Sequence, residues 1–198
     1  MNIVLDIDGT LIDSYKMEIF PRPHLQVFLY FCFRNFETVS IWTAASREWC
    51  YKVHNEILKP LVGDHNFHTI FHSDKITECT RQRLDGVSRY KIKNLRKICR
   101  GSLTMKNTII VDDTPITFSR NYGNAVYIKT YHILTDDYEL LVTIKRLQFL
   151  LKQFNISKNV RNIQRPRWYE ESDTYLLHYV NRVTENTQIY HAIVHHNV

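Results

Sequence analysis

The sequence predicts an α/β protein: a doubly wound parallel sheet with helices on both faces, a small insertion and a short C-terminal appendage. Apolar runs that end in Asp or Thr alternate with stretches of helical period, and strand–helix–strand–helix order defines that class. The runs are short, rich in β-branched residues and apolar throughout, as strands buried on both faces require. A chain of 198 residues with 44% hydrophobic content can bury one good core. One domain is therefore expected over residues 1–154, with residues 155–198 as an appendage that carries no recognisable motif.

The elements follow in order. Residues 2–7 form the first strand, bounded by Gly9. Pro23 suits a helix start, and Leu25, Phe28, Leu29 and Cys32 share one face of the helix it opens. ETVSIWTA (37–44) is the second strand and ends around Thr43; Ser46 then caps a helix that the pattern carries to Lys59. NFHTIFH (66–72) is a short third strand, the charged stretch 73–91 reads mostly as loop, and 93–100 reads as a helix burying Leu95, Ile98 and Cys99. NTIIVDD (107–113) is a strand that again ends in acids. A short helix after Pro115, a strand at 124–129 and a long amphipathic helix over 136–154 complete the unit. In the appendage a helix is expected near 171–182 and a terminal strand at 188–194.

The net charge of +6 is unevenly spread: ten Lys or Arg lie between Lys75 and Lys106 against only Glu78 and Asp85. Such a run either forms a solvated face or meets an anionic partner. Cys32, Cys50, Cys79 and Cys99 contain no C-x-x-C pair, which argues against a zinc knuckle or a secreted disulfide framework. The longest apolar stretch, residues 25–33, is far too short to span a bilayer, and no signal peptide is visible. A soluble intracellular chain is expected, in nucleus or cytoplasm.

The strand ends carry the chemistry. A carboxylate at the exit of a buried strand is costly unless a cation faces it. Asp6 and Asp8 end one such strand, and Asp112 and Asp113 another, so the four would repel one another without a counter-ion. Mg²⁺ suits them: it takes one or two carboxylates, keeps several waters and leaves room for phosphate oxygens. In a doubly wound sheet ligands bind at strand carboxyl ends, where Asp6, Thr43 and Asp112 fall. Three other signals carry less. His65, His68 and His72 fall on different faces of their strand, Trp42, Trp49 and Trp168 read as packing, and Ser46 lies in no nucleophile elbow.

DIDGTL (6–11) resembles the D-x-D-x-T-[VLI] motif of the haloacid dehalogenase (HAD) superfamily, and IWTAAS (41–46) resembles its second motif. RPHLQVFL (22–29), YKIKNL (90–95), IIVDDTP (109–115) and NAVYIKTY (124–131) resemble segments of one branch. That branch holds the small RNA-polymerase CTD phosphatases, the NLI-interacting-factor-like proteins and a mitochondrial import subunit. The resemblance runs in unbroken order over about residues 2–154 and implies a HAD-like, Rossmann-like fold.

By resemblance, Asp6 is the nucleophile and a metal ligand, and Asp8 is the general acid and base with its backbone carbonyl on the metal. Thr43 and Ala44 bind phosphate, and Lys93 neutralises it. Asp112 and Asp113 complete the Mg²⁺ site, Asp113 in direct contact. The implied activity is a Mg²⁺-dependent phosphatase working through an aspartyl-phosphate on a phosphorylated protein or peptide, the polymerase CTD being the suggested substrate. Nucleic-acid ends or small phosphate esters suit the basic stretch equally well, and a catalytically silent binding module is the reading from another class. Gly9 departs from the branch, whose CTD phosphatases often carry Glu there, and TAAS shifts the register after Thr43 by one residue. No membrane partner is expected.

Overall fold

The computed structural model describes residues 1–83 and 86–164; the helix and strand expected after residue 164, and Trp168, lie outside the described residues. In chain order the strands are β1 (Asn2–Leu5), β2 (Ile12–Tyr15), β3 (Glu18–Pro21), β4 (Val39–Trp42), β5 (Ile70–Phe71), β6 (Thr77–Arg83), β7 (Gly86–Ile92), β8 (Thr108–Asp112) and β9 (Ala125–Tyr127). The helices are α1 (Leu25–Asn35), α2 (Arg47–Val53), α3 (Lys59–Val62) and α4 (Glu139–Ser157).

Five parallel strands form the main sheet in the order β5-β4-β1-β8-β9. The chain runs outward from β1 through β4 to β5, then returns to build β8 and β9 on the other side of β1. The order thus reverses at β1, and the crevice at its carboxyl end is where such sheets bind ligands. Ile3 lies opposite Val39 and Ile109, and Leu5 opposite Ile41 and Val111.

Alternation along these strands divides the core in two. Ile3, Leu5, Val39, Ile41, Ile109 and Val111 face a cluster supplied by Phe28 and Leu29 of α1, Cys50 and Val53 of α2, Val62 of α3 and Leu140 and Leu147 of α4. Val4, Trp42 and Ile110 face the other way, against Ile76, Leu95, Ile98 and Phe118. The α helices of the described residues all serve the first face. The second is covered by a thinner layer of loops and a 3-10 turn at Leu95–Lys97, and this layer delivers Lys93. No helix among the described residues is long and apolar enough to cross a membrane.

Several local expectations need correction. The stretch 73–91 is mainly the antiparallel hairpin β6–β7, not a loop. Its outer face, with Glu78, Thr80, Gln82, Val87, Arg89 and Lys91, is exposed, while Cys79, Tyr90 and Ile92 turn inward. This is a period of two that the density of charge obscures. Residues 93–100 form only the 3-10 turn, which Asn94 caps and which gives way to a left-handed Gly101 at φ +60. Asn121 Oδ1 accepts from Leu95 N at 3.1 Å, and Asn94 Oδ1 accepts from Arg96 N at 3.2 Å.

After Pro115 the chain makes successive i→i+3 turns rather than a helix, with Thr117 N bonded to Thr114 O and Asn121 N to Phe118 O. The helix opened by Ser46 widens to π geometry over His54–Leu58 before α3, where Pro60 has no N–H to continue the regular ladder. The final helix starts at Glu139 and runs to Ser157, and Val160 beyond it is wholly buried in the helix-side core.

Candidate active site

Asp6 leaves β1 with its N–H bonded to Val111 O at 3.0 Å, which places it beside the end of β8. Asp112 closes β8 and Asp113 follows. The three carboxylates are buried and offer oxygens that all lie within 4.8 Å of one another. Lys93 reaches this cluster from the opposite layer, its N–H bonded to Thr117 O at 2.7 Å and its carbonyl held by the Asn121 amide. Its Nζ lies 2.5 Å from Asp6 Oδ1 and 2.8 Å from Asp112 Oδ2, and its side chain is 1% exposed.

One ammonium faces three buried carboxylates, so negative charge is in excess. Burial pushes the Asp6 carboxyl well above its ordinary range, against the pull of Lys93. Burial likewise raises Asp113, with a Thr130 hydrogen bond opposing it. For Lys93, burial alone lowers the pKa, but Asp6 and Asp112 outweigh it and the group stays charged. The Lys93 ammonium is shared between Asp6 Oδ1 and Asp112 Oδ2. An all-oxygen cluster with more carboxylates than this one cation can offset fits Mg²⁺.

Asp8 stands outside that grouping. Its Oδ2 accepts from Thr43 Oγ1 at 3.0 Å and its Oδ1 from Trp49 Nε1 at 2.7 Å. Thr43, just past β4, is buried, and its Oγ1 also accepts from Ala45 N at 3.0 Å. Ala44 follows it, with its carbonyl receiving Lys91 Nζ at 3.2 Å. The structure thus gathers Asp6, Lys93, Asp112 and Asp113 at one point and fixes Asp8, Thr43 and Ala44 at the neighbouring strand end.

Three residues given no site role in the sequence, Trp49 among them as packing, support this arrangement. Thr10 Oγ1 accepts from Asp113 N at 3.2 Å and lies 3.5 Å from Asp113 Oδ1, tying the two acid-bearing loops together. Its position within DIDGTL was the available signal. Arg22 is buried beneath the same loop and donates to the Gly9 and Thr10 carbonyls. Trp49 holds Asp8.

Gly9 has φ +74, and a Cβ there would lie 2.5 Å from Asp113 Oδ2. The glycine is demanded both by the backbone and by the close approach of the second acid pair. Gly9→Ala is expected to lose about 1–3 kcal/mol of stability in urea unfolding, since it forces the loop off Asp113. Unfolding at the same midpoint as wild type would refute that contact.

A doubly wound sheet with paired acids at its switch point and a buried lysine between them defines a HAD-type α/β fold. The family model for NLI interacting factor-like phosphatases matches residues 1–161, and the chain belongs to that family. Among solved structures, the chain is similar to the fission yeast RNA polymerase II CTD phosphatase Fcp1, in an arginine-to-alanine variant bound to beryllium fluoride. The TM-score is 0.51 at 15% identity, over 97% of this chain and 62% of that one, a likeness of fold. The present chain therefore spans less than two thirds of that relative. No curated protein sequence matches the chain.

Proposed function

We propose that the chain is a Mg²⁺-dependent phosphatase that works through an aspartyl-phosphate on Asp6 and acts on phosphoserine or phosphothreonine in a protein of the polymerase-CTD kind. The observation that carries this reading is the buried Asp6 carboxylate at the sheet's switch point, 2.5 Å from Lys93 and grouped with Asp112 and Asp113. Membership of a phosphatase family supports it. The CTD substrate rests on likeness of fold to the fission yeast CTD phosphatase.

In the first step a carboxylate oxygen of Asp6 bonds to phosphorus and the bond from phosphorus to the serine or threonine oxygen breaks. Asp8, as the acid, gives that oxygen its proton. In the second step water attacks the same phosphorus while Asp8, now a carboxylate, takes a water proton. The bond from phosphorus to Asp6 breaks, freeing inorganic phosphate. Thr43 and Ala44 orient the phosphoryl oxygens, and Lys93 offsets their charge. Bound Mg²⁺ supplies further charge neutralisation there. Asp6, Asp113 and the Asp8 carbonyl would hold it, with Asp112 kept in place by Lys93 and by Thr114 N at 2.8 Å.

The test uses p-nitrophenyl phosphate, a phosphorylated CTD heptad peptide and a 3′-phosphorylated oligonucleotide, each with Mg²⁺ and with EDTA. Asp6→Asn and Asp8→Asn are each expected to lose at least about 10³-fold in kcat on the preferred substrate, and EDTA to silence the wild type. No turnover of any substrate by the wild type would leave the binding-module reading. Preference for the oligonucleotide would favour nucleic-acid ends, which the exposed Arg81, Arg89 and Lys91 of the β6–β7 hairpin would also suit.

A further inference from the structure

We propose that Trp49 is a positioning residue for the acid–base step, fixing the plane of the Asp8 carboxyl group through its indole N–H; this rests on the phosphatase reading above. The two oxygens of Asp8 are claimed by different elements. Thr43 Oγ1 donates to Oδ2 at 3.0 Å from the end of β4, and Trp49 Nε1 donates to Oδ1 at 2.7 Å from the first turn of α2. An indole is a donor only, so it can neither take the proton of Asp8 nor supply one. It holds the group in both protonation states and leaves proton exchange with substrate and water to the remaining lone pairs of the carboxyl group.

Trp49 is itself anchored. Its backbone N–H is received by the Ser46 cap at 3.2 Å. Lys52 Nζ lies 5.8 Å from its ring centroid and also donates to Met17 O at 3.2 Å, joining the ring to the tip of the β2–β3 hairpin. Trp42 makes the contrast: its buried indole N–H has no hydrogen-bond partner among the described residues, and its ring packs in the core. A misplacement of a catalytic group by about 1 Å can cost as much as 10²-fold in rate.

The consequence is a dependence on leaving group. Protonation matters most for an alkoxide such as that of serine and least for p-nitrophenolate, which leaves readily unprotonated. Trp49→Phe is expected to lower kcat/KM at least about tenfold on a phosphoserine peptide and less than about threefold on p-nitrophenyl phosphate. Benzothienylalanine at position 49, which keeps the ring shape without the N–H, should reproduce the pattern. A purely structural role lowers both substrates alike.

A second measurement needs no turnover. With ¹⁵N-labelled indoles, the Trp49 side-chain resonance, assigned by its loss in Trp49→Phe, should move in Asp8→Asn and stay in place in Asp6→Asn. Equal losses on the two substrates, or an indole signal indifferent to Asp8→Asn, would overturn the proposal. An inactive wild type with the Asp8-dependent signal intact would instead overturn the phosphatase reading beneath it, and the catalytic role of Trp49 with it.

Discussion

Lys93→Met is expected to lower kcat by about 10²–10³-fold and to remove about 3–5 kcal/mol of stability near neutral pH. The ammonium it removes lies 2.5 Å from Asp6 and 2.8 Å from Asp112, and all three side chains are shielded from water. Methionine fills much of the volume, so the loss is one of charge rather than packing. Two buried carboxylates then face each other and Asp113 with no cation.

The pH dependence identifies the cause. Burial already raises Asp6 above its ordinary 3.8, so the folded state holds its proton to higher pH than the unfolded chain does. Stability from that group is present below 3.8 and is lost as pH rises through the raised value. Lys93 opposes the rise, so its removal moves the upper end of the window further up. In EDTA, the stability deficit of Lys93→Met should therefore be larger at neutral pH than at acidic pH, since acid returns the proton to Asp6. Lys93 itself, raised above its ordinary 10.5, stays charged throughout that range and adds no slope of its own. Mg²⁺ should raise the melting temperature of the variant, since a cation bound only by the folded state stabilises it. Thermal melts that match the wild type at both pH values would refute the charge argument.

What the sequence made legible and what it hid have distinct physical causes. β1, β4 and β8 were legible because strands buried on both faces must be apolar throughout, which leaves Asp6, Thr43, Asp112 and Asp113 conspicuous at their ends. The register of parallel pairing then brings those ends together. Lys93 had no such mark. It follows an exposed, charged strand, and only resemblance pointed to it before the structure placed its Nζ between two acids. The hairpin preceding it was hidden for a related reason, since its outer face is polar and its inward residues are few. The 3-10 turn at Leu95–Lys97 carries a helical apolar pattern, but Thr117 and Asn121, from another segment, hold the backbone of Lys93 just before it. Local pattern cannot register a partner from another segment. Trp49 and Asp8, 41 residues apart in the chain, meet through one hydrogen bond that no periodicity records.

Arg22 is the extreme of such hidden interactions, and Arg22→Met is expected to remove about 3–5 kcal/mol, a large fraction of the roughly 5–15 kcal/mol that holds a domain folded. Its side chain is wholly buried, and its guanidinium grips Asp137 with two bonds, Nε to Oδ1 at 2.8 Å and Nη2 to Oδ2 at 2.7 Å. It also donates to Lys129 O at 2.7 Å, Thr10 O at 3.0 Å and Gly9 O at 3.3 Å. One side chain thus joins the loop carrying the first acids, the loop after β9 and the approach to α4. Methionine leaves a buried carboxylate and three carbonyls without these donors. Lysine cannot replace the planar fork either, so Arg22→Lys should recover only a minor part. Removing both ends of the ion pair leaves no orphaned charge, so Arg22→Met with Asp137→Leu should be more stable than Arg22→Met alone. Urea unfolding of the three variants measures this order. A double variant weaker than the single one would show that Asp137 gives more through its bond from Glu139 N, at 3.2 Å, than it costs as an unpaired charge.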